Sequence, residues 1–136
     1  MNSGVEIFKI MNMRLSIAKL LFVIMNDPTN LAEPIKVAHA LHYAVELKRS
    51  SHEVYVYFDG LGVKIPITER PYKGLRPAYE GALAEGIILG ACNYCASPLH
   101  LNVKDKLPKN IRLIGDEHHH YAFTDLVDQG FQVILS

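Results

Sequence analysis

Two cysteines in 136 residues are too few for the disulfide framework of a small secreted domain. Charge of one sign is equally scarce. Fourteen Lys and Arg balance fourteen Asp and Glu, for a formal net charge of zero. No basic excess marks a nucleic-acid binder, and no acidic run marks a solvating tail. Long apolar runs are missing too: Leu15 to Met25 is broken by Lys19 and is too short to span a bilayer. Residues 1–12 carry Glu6 and Lys9 within their apolar part, which does not fit a signal peptide. Met13 offers a second start, which would make 1–12 an N-terminal extension of a single domain covering 1–136. No Gly-x-Gly-x-x-Gly follows the first apolar run, and no Ser nucleophile elbow occurs. Internal repeats and low-complexity tracts are absent. A cytoplasmic protein without nucleic-acid or membrane partners is the expectation, and no cofactor is predicted.

What is present alternates between strand and helix patterns. Ala18 to Met25 is nearly continuous apolar, as in a central parallel strand covered on both faces. Asn26 to Asn30 is a turn, with Asn30 and Glu33 spaced for a capping pair. The spacing predicts an amphipathic helix over Leu31–Arg49, with Val37, Leu41, Ala44 and Val45 inward. On its polar half, His39, His42 and Glu46 read as an outer face or an intersubunit surface. Val54–Phe58 is a second strand closed by the Asp59–Gly62 turn, and Val63–Tyr72 reads as irregular. Leu75–Glu85 is a short helix, Gly86–Ala91 a third strand, Ile111–Gly115 a fourth and Phe131–Leu135 a fifth. Ser97-Pro98 has the form of an N-cap followed by Pro at the first helical position, and His118–Gln129 reads as a last helix. The alternation predicts a three-layer α/β/α domain, flavodoxin-like, with a five-stranded parallel sheet and right-handed crossovers.

Both cysteines fall in one tetrapeptide, Cys92-Asn93-Tyr94-Cys95, at the end of the third strand. The carboxyl edge of a parallel sheet is where ligands gather. A thiolate is the reactive form of cysteine, and a helix starting after Ser97 would favour it through its partial positive charge. Cys92 is closest to the strand end and reads as the exposed thiol; the residues alone leave open which cysteine benefits. Asn26 and Thr29 after the first strand, and Asp59 after the second, share this edge as candidate pocket residues, although turn duty is the first reading of each. Tyr94 suits shielding the thiols or packing on a neighbouring subunit. His118, His119 and His120 would complete a Cys2His2 zinc set with the thiols, but their spacing matches no standard zinc motif. No metal ligand is assigned.

The first strand with its long helix, the Phe58-Asp59-Gly60-Leu61-Gly62-Val63 turn, the ACNYCAS loop and the closing Leu126–Ile134 segment resemble the DsrE/DsrF-like family. The resemblance runs from about Lys19 to Leu135, and its most specific part is the cysteine loop. It implies a five-stranded α/β/α domain in a homo-oligomer, a trimer or hexamer, that relays sulfur in the manner of a sulfurtransferase. By this resemblance Cys92 is the sulfur-accepting position and Cys95 a second thiol found in a subset of members. Cys92 would attack a persulfide or thiosulfonate, hold Cys–S–SH or Cys–S–SO3⁻, and pass the sulfur to an acceptor such as a small TusA-type carrier protein. Many members place Arg-Gly several residues after the first cysteine, where this chain has Leu99-His100. His100 supplies only a partly charged group there. Two other readings remain from the residues: a dithiol redox protein, and a zinc- or ligand-binding oligomeric module without catalysis.

Overall fold

In the computed structural model, which describes residues 17–136, five strands form one sheet in the order β4-β3-β2-β1-β5. They are β1 (Lys19–Ile24), β2 (Glu53–Phe58), β3 (Ile88–Cys92), β4 (Leu113–Ile114) and β5 (Gln132–Leu135), and every pairing is parallel. The helices are α1 (Glu33–Arg49), α2 (Leu75–Ala84), the four-residue α3 (Asn93–Ala96) and α4 (Thr124–Asp128). Helices flank the sheet, consistent with the three-layer, flavodoxin-like architecture expected. The proposed extension 1–12 lies outside the described residues.

The alternation of side chains along β2 builds both layers. Phe58 meets Tyr79 of α2 with ring centroids 6.1 Å apart, whereas Tyr57 meets Tyr121 and Phe123 at 5.7 and 5.4 Å. Val37, Ala38, Leu41, Ala44 and Val45 form the buried stripe of α1. Each fully buried leucine or valine on such a stripe contributes roughly 1.5–3 kcal/mol. His39, His42 and Glu46 lie exposed on its outer side.

Several local expectations are corrected. The Asn30–Glu33 capping pair does not form. Asn30 Oδ1 accepts from the Ala32 N–H, and Glu33 Oε1 accepts from Asn26 Nδ2. α1 instead begins with Pro34 in its first turn, where a missing N–H costs nothing. Gly60–Ile67, which spans the expected turn and the start of the stretch expected to be irregular, is a 3₁₀ helix capped by Asp59, whose Oδ1 accepts from Gly60 N. No helix starts at Ser97. The Ser97 carbonyl accepts from His100 N and Asn102 N, which folds 97–102 into a turn. The helix expected over His118–Gln129 shrinks to Thr124–Asp128, because Asp116 Oδ1 captures the N–H groups of His118 and His119 and holds the histidines in a turn.

Candidate functional site: a dithiol loop beside Asp59

β2 and β3 are neighbours and leave the sheet at the same edge. Phe58 pairs with Ala91, so Asp59 and Cys92 emerge side by side. That register depends on a bulge. Val56 pairs with Ile88 but Tyr57 with Gly90, so Leu89 is an extra residue in β3. Gly90 has φ +155° there, and a Cβ on it would run into the Arg112 carbonyl. Without the bulge, Asp59 would face Ala91 rather than Cys92.

Cys92 caps the short helix that follows, its Sγ accepting from Cys95 N at 3.4 Å. The helical turn brings Cys95 back over Cys92. Cys95 Sγ donates to Asp59 Oδ1 at 3.4 Å, and one ligand atom from each of Asp59, Cys92 and Cys95 lies within 4.8 Å of the other two. The rest of the loop is locked by backbone bonds from Leu101 N to Cys95 O and from Val103 N to Ala96 O. Ser97, fully buried, adds a bond from its hydroxyl to Tyr94 O.

Burial divides the two thiols in the order opposite to that expected. Cys92, read from sequence as the exposed strand-end thiol, is 0 % exposed. Its position as the last residue of a central strand, under α3, is the reason. Cys95 is half-buried and lines a cavity of about 190 Å³ with Gly60, Leu61, Tyr94, His100 and Leu101. Gly60 reaches this wall in a left-handed conformation, φ +51°. Tyr94 and His100 lie against each other with ring centroids 3.9 Å apart.

Burial pushes the Cys95 thiol up to about 12, and the Cys92 thiol and the Asp59 charge act in the same direction against the Gly60 N–H. At rest Cys95 is therefore a protonated donor to Asp59. Tyr57 is 1 % exposed, and among the described residues its hydroxyl has no hydrogen-bond partner. Burial, and next the neighbouring Cys92 thiol, hold it above the ordinary tyrosine range. Tyr57 was not singled out by sequence, where it looks like any aromatic strand residue.

Of the predicted site residues, Cys92, Cys95, Asp59, Tyr94 and His100 come together. Asn26 and Thr29 do not line the thiol cavity. Asn26 bridges Glu33 and Ser136, and Thr29 donates its hydroxyl and N–H to Asp27. His118, His119 and His120 are exposed; the His120 ring comes to 6.4 Å from Tyr94, but none joins the thiol–carboxylate group. Two thiols and one carboxylate suit a borderline-soft cation such as zinc, one ligand short of a closed tetrahedral set. A second cavity, about 330 Å³, lies between α1 and β5, lined by residues including Phe22, Lys36, His39, Tyr43 and Leu135.

No family model, curated protein or solved structure matches the chain. Among the described residues no helix is long and apolar enough to cross a membrane.

Proposed function

We propose that this protein takes sulfane sulfur onto its cysteine loop and passes it to an acceptor thiol, with Cys95 rather than Cys92 as the receiving residue. The observation that carries this reading is that Cys95 lines a cavity while its thiol has a carboxylate as hydrogen-bond acceptor. Cys95 gives its proton to Asp59 as it attacks the outer sulfur of a donor persulfide. The new bond joins Cys95 Sγ to that sulfur, the donor's S–S bond breaks, and the donor leaves as a thiol once it regains the proton. Tyr94, His100 and Leu61 give the adduct a partly apolar chamber. A small TusA-type carrier protein is the acceptor that belongs to this proposal. Assembly into a trimer or hexamer belongs to the same proposal.

Brief exposure to inorganic polysulfide, acid quench and intact mass measurement test the assignment. In C92S the expected product gains one sulfur atom; in C95S the gain is lost. No adduct in C92S, or an adduct that persists in C95S, overturns it.

A dithiol–disulfide couple is the second reading, favoured by the proximity of the two sulfurs. Its test is the reduction potential of the pair, expected within the span of cellular dithiols.

A further inference from the structure

Uptake of sulfur on Cys95 leaves two groups of the site without a task, the Cys92 thiol and the Tyr57 hydroxyl. Cys92 is closed to solvent, so no external donor or acceptor reaches it. The sulfur it does reach is that of Cys95, within 4.8 Å. Residues three apart on a helical turn also suit the Cα separation of roughly 4.4–6.8 Å that a disulfide needs. Tyr57 pairs with Gly90, two residues before Cys92, so its side chain shares a face of the sheet with Cys92; its buried hydroxyl has no acceptor among the described residues, an arrangement that costs stability unless a charged state of the site supplies one.

We infer that Cys92 is an internal resolving thiol, which attacks Cys95 persulfide and expels hydrogen sulfide, with the Tyr57 hydroxyl donating to its thiolate. This rests on the uptake of sulfur by Cys95 proposed above and is the fate of persulfide that no acceptor thiol has taken. The step is Cys92–SH plus Cys95–S–SH giving Cys92–S–S–Cys95 plus hydrogen sulfide. A bond forms between the two Sγ atoms, and the bond from Cys95 Sγ to its outer sulfur breaks. The outer sulfur leaves with the bonding pair, keeps its own hydrogen and gains the Cys92 proton. Asp59, within 4.8 Å of both sulfurs, is placed to relay that proton. The sulfane sulfur is reduced to sulfide while the two cysteines are oxidised to a disulfide, which an external dithiol reduces to reset the pair. The Tyr57 hydroxyl acts at the moment Cys92 is anionic, when a hydrogen bond from a neutral donor to a charged acceptor is strongest.

The inference separates from the reading beneath it in one experiment. Reduced protein is loaded with polysulfide, freed of donor on a desalting column, and followed by sulfide release and intact mass without added thiol. Wild type is expected to release one sulfide per chain and to end two hydrogens lighter than the reduced protein. C92S is expected to keep its extra sulfur until dithiol is added. Wild type that keeps the persulfide beside a free Cys92 overturns the inference and leaves uptake standing. No extra sulfur on either protein, with no sulfide from wild type, overturns both. For Tyr57, release is timed from pre-loaded Y57F as a function of pH. The expected result is release slowed by about tenfold or more near neutrality, with the profile moved to higher pH. An unchanged rate and profile remove Tyr57 from the step, and wild-type release, which needs no variant, still decides the role of Cys92.

Discussion

Cys95 Sγ donates a hydrogen bond to Asp59 Oδ1 at 3.4 Å, across loops that follow two different strands. This contact ties the more accessible thiol to a proton acceptor that also caps the 3₁₀ helix Gly60–Ile67. One carboxylate thus has a chemical and a structural duty, and the two are separable.

Asp59→Asn keeps a good capping side chain but removes the anionic acceptor. Stability is expected to change by no more than about 1 kcal/mol. Loading of Cys95 is expected to slow by about 10²-fold or more. Thermal unfolding and the loading rate, measured on the same preparation, check both halves.

Cys95 is expected to alkylate in the native protein while Cys92 reacts only after unfolding, because access differs. The labelling rate is expected to keep climbing with pH toward about 12, where the buried Cys95 thiol ionises. Stability moves the opposite way with pH. A thiol held above its ordinary value stays protonated in the folded chain while the unfolded chain releases its proton. Its contribution is present below the ordinary cysteine range and is lost as pH rises from there toward about 12. C95S is expected to flatten this alkaline decline, as read by denaturant titrations across the range.

Tyr57→Phe removes a buried hydroxyl that has no partner among the described residues. The aromatic contacts with Tyr121 and Phe123 remain. The variant is expected to be as stable as the parent or more so, by up to about 1 kcal/mol. A loss of more than that in urea unfolding would show that the hydroxyl is satisfied in solution.

Gly90→Ala places a Cβ against the Arg112 carbonyl at the bulge. A cost of roughly 1–3 kcal/mol is expected. Because the bulge sets the register of Asp59 against Cys92, slower loading is expected even where the variant still folds. Denaturant midpoint and loading rate together check this.

The five strands and the buried stripe of α1 were legible because apolar run length and helical period report burial directly. Helix starts are less legible. Ser97-Pro98 looks like a cap and His118–Gln129 like a helix, yet in both places turn hydrogen bonds captured the N–H or carbonyl groups a helix needs. Cys92, Cys95 and Asp59 were visible as chemistry at one edge of the sheet, since each follows or ends an apolar strand.

Sequence alone determined that two thiols leave the sheet together and that a carboxylate ends the strand before them. Tertiary structure decided which thiol is sealed and which lines a cavity. The last residue of a strand lies under the turn that follows it, so Cys92 is covered while Cys95, one turn later, is lifted to the wall. It also decided that Asp59 meets Cys95 and that Tyr57 shares a sheet face with Cys92 on the neighbouring strand. Those contacts depend on strand order and on one bulge, which bring together residues 36 positions apart.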